Sequence, residues 1–232
     1  MRILPADPLP SVSLGERIAG LQARIQRACE AADRDPSSVE LLPVSKKQSM
    51  ALIREAAGMG FTRFGENYVQ EGTDKAAAAP DLTFVLLGPL QRNKTKPALQ
   101  HFGEIQSLDR PELAGRLRRH AEELDVVRPV WIQVDLWDEA TKLGGCPEAD
   151  LPALITALGG DARLPLQGFM AIPPPENEGA FAQMAEVRQR LQQDLGQPLR
   201  LSMGMSGDLE AALAAGSDQL RIGTAFFGER IY

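Results

Sequence analysis

The sequence predicts an α/β fold: a single (β/α)8 barrel of the TIM type with one extra helix ahead of its first strand. Three observations carry that expectation. Eight short apolar runs alternate with seven helical stretches, and parallel strands need long crossover connections of this kind. Eight is also the number of strands that closes such a barrel. A chain of 232 residues suits one barrel or two small domains. Its 44% hydrophobic and 24% charged content excludes disordered and fibrous architectures.

Residues 1–13, with Pro5, Pro8 and Pro10, read as a loose arm, and 14–232 as the barrel. Helical spacing of Ile18, Leu21, Ile25 and Cys29 marks a helix over 14–33, with Glu16, Arg17, Arg24 and Arg27 elsewhere on the wheel. Strands are expected at 39–46, 63–67, 83–87, 104–108, 130–136, 164–172, 199–203 and 219–226. Helices are expected at 49–58, 68–79, 94–102, 111–123, 148–158, 177–195 and 207–215. Asp109 ahead of Pro111 and Glu112 resembles a capping box, while Gly60, Gly196 and Gly216 follow helical runs. The eighth outer helix is missing after the last strand, and the leading helix is expected to cover its place. The competing arrangement is an open doubly wound sheet. It lacks its glycine-rich fingerprint, since Ser45-Lys46-Lys47 follow the first strand.

Composition and spacing narrow the function. With 25 basic and 31 acidic side chains the net charge is −6, which argues against a general nucleic-acid binder. The basic cluster Gln91-Arg92-Asn93-Lys94-Thr95-Lys96 has no interleaved aromatics and reads as a solvated helix start. Cys29 and Cys146 have no metal-ligand spacing and read as reduced thiols. His101 and His120 stand in separate helices, so no metal is expected. Asp135, Asp138 and Glu139 read as a loop rim, and Met170, Met184, Met203 and Met205 as packing residues. Neither a membrane span nor a signal peptide is evident, so a cytoplasmic protein is expected. The lack of an exposed apolar stripe leans towards a monomer.

In such barrels chemistry collects at the carboxyl ends of the strands. On the first strand Leu42, Val44 and Lys46 share a face by alternation, so Lys46 would rise into the barrel mouth if the other two line its interior. A lysine in a partly dry site is available as a neutral amine for Schiff-base chemistry; a solvated strand-end lysine is the plainer alternative. On the eighth strand Arg221 sits between Leu220 and Ile222, a costly place for a guanidinium without a partner. Either a neighbouring carboxylate or a ligand acceptor would explain it. Gly223-Thr224 follow at once, offering backbone N–H groups and a hydroxyl. Ser206 stands after the seventh strand, at the start of a helix, as a cap or an anion contact. The loops after strands seven and eight are the recurrent phosphate site of these barrels. A lysine, an arginine and a phosphate cradle together suit an aldehyde-bearing phosphate, and pyridoxal 5′-phosphate fits.

The blocks VSKK at 44–47, FGENYVQE at 64–71, LLGPLQRNKTK at 86–96, GFMAIPPP at 168–175 and LSMGMSGDLEAALAAGSDQLRIGTAFFGER at 201–230 resemble the pyridoxal phosphate homeostasis protein family, which is related to the N-terminal barrel of alanine racemase. The likeness runs in order from about residue 14 onward. It implies a protein that binds pyridoxal phosphate and takes part in intracellular homeostasis of that cofactor, with apo pyridoxal-phosphate enzymes as partners. It further implies that Lys46 forms the internal aldimine and that Arg221 faces the pyridine nitrogen. Ser206, Gly223 and Thr224 would hold the phosphate, with Met205 supplying backbone. Asn67 would lie near the ring, and Ser202 is a further candidate for the pocket.

A guanidinium only donates, so the ring nitrogen that it faces must accept, and an unprotonated ring is a poorer electron sink than a pyridinium. Alanine racemase takes a second acid/base from a tyrosine on a separate C-terminal domain. Here Tyr68 lies inside the FGENYVQE block and Tyr232 ends the chain, so efficient racemisation is not expected. A stand-alone racemase or lyase, and a Schiff-base aldolase using Lys46 directly, are the competing activities. The sequence departs from the family pattern at Gln48, where a second lysine is usual, and in lacking a histidine or aromatic just before the third-strand glycine. Lys142 keeps the position of a family lysine.

Overall fold

The computed structural model describes residues 12–137, 144–174, 177 and 179–228. Residues 1–11 of the expected arm, and Asp138, Glu139, Lys142 and Tyr232, therefore lie outside the described residues. The chain opens with α1 (Leu14–Ala31), whose apolar stripe Leu14, Ile18, Leu21, Ile25 and Cys29 is buried. Its start is fixed by a capping box in which Ser13 and Glu16 satisfy each other's orphan N–H groups.

Strands and helices then alternate: β1 (Glu40–Pro43), α2 (Met50–Gly58), β2 (Arg63–Glu66), α3 (Val69–Ala78), β3 (Thr83–Leu86), α4 (Thr95–His101) and β4 (Glu104–Leu108). The second half runs α5 (Pro111–Leu124), β5 (Val130–Val134), α6 (Leu151–Leu158), β6 (Leu166–Ala171), α7 (Ala180–Leu195), β7 (Arg200–Ser202), α8 (Leu209–Ala214), β8 (Gln219–Ile222) and α9 (Thr224–Phe227). All pairings are parallel, in the order β1-β8-β7-β6-β5-β4-β3-β2. A single parallel bridge between Val44 and Gly65 brings β1 back to β2, and Ser45 N donates to Gly65 O at 2.8 Å across the same seam. The sheet is thus a barrel, not the open doubly wound alternative.

Helix α1 takes the vacant outer position. Arg17 Nε donates to Phe226 O at 3.2 Å, and Arg34, just beyond the helix, donates to Leu213 O and Ser217 O at 3.1 and 2.7 Å. Three local expectations are corrected. The eighth strand stops at Ile222 because Gly223 turns into the α region and the N–H groups of Phe226 and Phe227 bond back to its carbonyl, giving the short helix α9. The first strand stops at Pro43, and Lys47 takes a left-handed turn (φ +59°) beyond it. Asp109 makes no capping box: Arg110 is the N-cap of α5 with no side-chain bond, and Asp109 accepts from Arg110 instead. The glycines after α2, α7 and α8 do serve as stops, with positive φ at Gly60, Gly196 and Gly216.

Outward-facing residues of the strands pack under the helices in one large apolar core that includes Phe64, Phe84, Phe102, Phe169 and Phe226. A second, smaller cluster of Leu42, Val44, Val85, Leu87 and Met170 lies apart from it. These side chains alternate with the outer set along β1, β3 and β6, so they fill the upper part of the barrel interior.

Candidate functional site

Lys46 continues the interior face of β1 two residues beyond Val44, and it lines a cavity of about 340 Å³ at the carboxyl ends of the strands. The same cavity is lined by Asn67 after β2, Leu87 after β3, Met170 and Ile172 on and after β6, Met205 to Gly207 after β7, and Arg221, Gly223 and Thr224 at the end of β8. Seven of the eight residues expected from sequence therefore meet in one place. Ser202 does not line the cavity; it lies fully buried beneath it, bonded to Arg221. A larger cavity of about 690 Å³ opens where β6 and β7 begin, among Leu158, Leu164, Leu195 and Arg200. The lysine, arginine and hydroxyl groups of the expected site are not there.

Arg221 is 5% exposed. Its guanidinium donates to Ser202 Oγ at 2.9 Å and to Ala171 O at 2.8 Å, and among the described residues it has no carboxylate partner. Burial pushes it down to about 10, opposed by the charge of Asp208, and it remains protonated at neutral pH. Below it, Ser202 Oγ lies 2.9 Å from Gln106 Oε1 and 2.8 Å from Gln219 Oε1, and Gln106 Nε2 donates to Gln219 Oε1 and Glu104 Oε1 at 2.7 and 2.6 Å. The proton of Ser202 is thereby directed at the glutamine oxygens, which leaves its lone pair for Arg221.

The loop after β7 owes its path to Gly204. Its φ is +96°, and a Cβ there would come within 2.6 Å of Ala212 Cβ and 2.8 Å of Leu220 Cδ2. Ser206 Oγ accepts from Ala225 N at 3.3 Å and so ties this loop to the one after β8. Asp208, rather than Ser206, is the N-cap of α8, and its carboxylate accepts from Met205 N at 2.5 Å. Met205 is 39% exposed, a rim residue and not a packed one; Met170, Met184 and Met203 are buried as expected. Across the cavity, Gly88 lets the chain pass close behind Asn67, since a Cβ would fall 1.8 Å from Asn67 O.

Several participants are not singled out by sequence reasoning. Arg24 of α1 donates to Ser206 O at 2.7 Å while gripping Glu210 through Nε and Nη2 at 2.5 and 2.6 Å. The added helix therefore supports the loop that carries Ser206. Beneath Lys46 lies a buried group of Ser45, Glu66 and Lys75, joined by the half-buried Glu71. Burial raises the Glu66 carboxyl above its ordinary value, against the pull of Lys75 and Ser45. The spacing of Glu71 and Lys75, one helical turn apart, was a legible signal; the contact with Ser45 was not.

Other residues named from the sequence lie away from the cavity. Both cysteines are buried free thiols. His120 Nδ1 meets Thr95 Oγ1 at 2.9 Å, and among the described residues no cluster of three or more histidine, cysteine or carboxylate side chains could hold a metal. No described helix is long and apolar enough to cross a membrane. Arg92 and Lys94 form a short turn outside the cavity lining, and Lys96 pairs with Glu123 at 3.3 Å.

A closed parallel barrel with an amine, a guanidinium and two hydroxyl-bearing loops at one mouth defines a class, and the sequence places the chain within it. Residues 18–231 match the family model "Alanine racemase, N-terminal domain", and the chain belongs to that family. The pyridoxal phosphate homeostasis protein of Pseudomonas aeruginosa is 46% identical over 224 residues, covering 95% of this chain and 97% of that one. The protein of the same name from Escherichia coli is 39% identical, covering 94% and 97%. PipY of Synechococcus elongatus, solved with PLP bound, superposes with a TM-score of 0.82 at 38% identity, covering 93% of this chain and all of that one. Alanine racemase of Clostridium difficile shares the fold alone, with a TM-score of 0.71 at 12% identity over 57% of its length.

Proposed function

We propose that this chain binds pyridoxal 5′-phosphate covalently through Lys46 and serves as a carrier or buffer of that cofactor, with little or no turnover of its own. The observation that carries the reading is the convergence of Lys46, Arg221, Ser206 and Thr224 on one cavity of about 340 Å³, within the range of small-molecule sites. The donor set suits the ligand: an amine for its aldehyde, apolar Val44, Leu87, Met170 and Ile172 for its ring, and two loops with hydroxyl and backbone donors for its phosphate. Relatives that bear the homeostasis name, and a neighbour solved with PLP, support it.

When bound, pyridoxal phosphate supplies an electrophilic carbon and a ring able to accept electrons. The residues of this chain favour holding it over exploiting it. Arg221 is charged and buried, and it is held by two neutral oxygens. Facing the ring nitrogen, it would donate and keep that nitrogen unprotonated, which weakens the electron sink. Ser206 and Thr224 would donate to the phosphate from the neighbouring loops after β7 and β8, and Asn67 would lie beside the ring. The recipients proposed are apo pyridoxal-phosphate enzymes.

A visible absorption spectrum of the purified protein, before and after Lys46→Ala, tests this. The wild type should be yellow, and the variant should lose the visible band. A band that survives the substitution, or a wild type that stays colourless with pyridoxal phosphate added, would sink the reading. A colourless protein whose Lys46 traps a sugar-phosphate carbonyl under borohydride would favour an aldolase. Amino-acid turnover at ordinary enzymatic rates would favour a racemase or lyase.

A further inference from the structure

The turn that carries Lys46 is held from beneath by a lysine to which the reading above gives no role. Lys75 is 7% exposed. Its ammonium donates to Ser45 O at 2.7 Å, Glu66 Oε1 at 2.6 Å and Glu71 Oε1 at 2.7 Å, which uses all three of its hydrogens. Ser45 Oγ donates to the same Glu66 oxygen at 2.6 Å, and Lys47 N donates to Glu71 Oε1 at 2.5 Å. The carbonyl one residue before Lys46 and the N–H one residue after it are thus tied to a single ammonium, one directly and one through a carboxylate.

That arrangement exceeds what packing requires. Replacing a whole buried ion cluster by apolar residues of similar volume is generally neutral or stabilising, so packing alone does not call for Lys75 and Glu66 here. Only a head group with three donors holds one carbonyl and two carboxylates at once. The left-handed backbone of Lys47 (φ +59°) is disfavoured for a residue with a Cβ and persists only where its surroundings impose it.

The geometry points to Lys75 as a positioning residue: it fixes the Ser45–Lys47 turn and so aims the Lys46 amine into the cavity. This rests on the covalent reading above. Attachment joins Lys46 Nζ to the aldehyde carbon and releases the carbonyl oxygen, with both amine hydrogens, as water. Its rate depends on the approach of the amine, whereas anchoring of the phosphate does not.

The test compares wild type with Lys75→Met and Glu71→Ala in two measurements. One is the rate at which the visible band grows after apoprotein is mixed with pyridoxal phosphate. The other is the affinity for 4′-deoxypyridoxine 5′-phosphate, which has the ring and phosphate but no aldehyde. Lys75→Met should slow attachment about tenfold, since small misplacements of reacting groups cost factors of this order or more, with analogue affinity kept within about twofold. Glu71→Ala should slow it about threefold and decides the matter if Lys75→Met does not fold. Unchanged attachment in the folded variants overturns the role, as does an equal fall in attachment and analogue binding. A wild type that takes up no pyridoxal phosphate fails the functional reading itself, whereas a normal wild type with unchanged variants fails only the role of Lys75.

Discussion

The two faces of the barrel strands are built on different principles. The outer face, against the helices, is apolar and continuous, with Phe64, Phe84 and Phe169 fully buried against helix-side residues such as Phe102. The inner face has its apolar cluster near the mouth, where Leu42, Val44, Val85, Leu87 and Met170 meet. Below that layer it is polar: Ser202, Gln106 and Gln219 join Arg221 to Glu104. Glu104 then pairs with Arg63 at 2.8 Å, Arg63 with Glu40 at 3.1 Å, and Glu40 with Arg200 at 3.2 Å. Arg200 lies over the Trp131 ring at 5.5 Å. Apolar burial is non-directional and can hold a fold without specifying where any one atom sits. A hydrogen-bonded interior is directional, and it sets the orientation of the Arg221 guanidinium that reaches the cavity. The outer layer holds the barrel together; the inner layer aims the site.

Substitutions should separate the two layers. Phe102→Ala should have the largest effect on stability, a loss of about 3–5 kcal/mol from lost burial and the cavity left behind. The ring packs directly against Gly72 of α3, where a Cβ would lie 2.2 Å from Phe102 Cζ. In denaturant titrations the midpoint should fall sharply, while the folded variant should bind pyridoxal phosphate as the wild type does. A weakened affinity there would blur the division.

Ser202→Ala should show the converse pattern. It removes the acceptor of one Arg221 N–H and the donor to Gln106 and Gln219, costing about 1–3 kcal/mol for buried groups left unpaired. Pyridoxal phosphate affinity should fall as well, because Arg221 would then be held by Ala171 O. Unaltered binding would mean that the interior network merely fills space.

Glu104→Gln gives the smallest and most diagnostic effect, a change in pH dependence. Burial raises the Glu104 carboxyl above its ordinary 4.5, opposed by Arg63 and Gln106. In the window from 4.5 up to the raised value the folded state binds more protons than the unfolded one, so this group makes stability fall as pH rises through it. The amide cannot titrate. Relative to wild type the variant should gain stability as pH rises across that window and level off above it, whatever constant offset the lost Arg63 pair brings. Parallel stability–pH curves would show that Glu104 titrates normally.

Much of this was legible because the patterns are periodic. The eight strands are short runs between helical stretches, and the stripe of α1 marks its buried face in Ile18, Leu21 and Ile25. Alternation put Lys46 on the face of Leu42 and Val44, and so at the mouth once those two line the interior. Boundaries at special backbone conformations were not legible. The end of β8 at Ile222 depends on Gly223 turning helical, and no apolar pattern distinguishes Ala225-Phe226 in a strand from the same residues in one turn of helix. The family resemblance offers Ser202 as a pocket candidate, yet its depth along the strand depends on strand stagger, which requires partner strands.

The order of the polar and apolar side chains along this chain determined the barrel, its leading helix and the face on which Lys46 and Arg221 stand, since those follow from residue periods of two and 3.6 and from the number of crossovers. Tertiary structure alone decided that Lys75 of α3 reaches Ser45, that Arg24 of α1 grips the Ser206 loop, and that Gln106 meets Ser202 across the barrel. Those contacts join residues 30, 182 and 96 positions apart, and only closure of the barrel brings such distant positions within hydrogen-bonding distance.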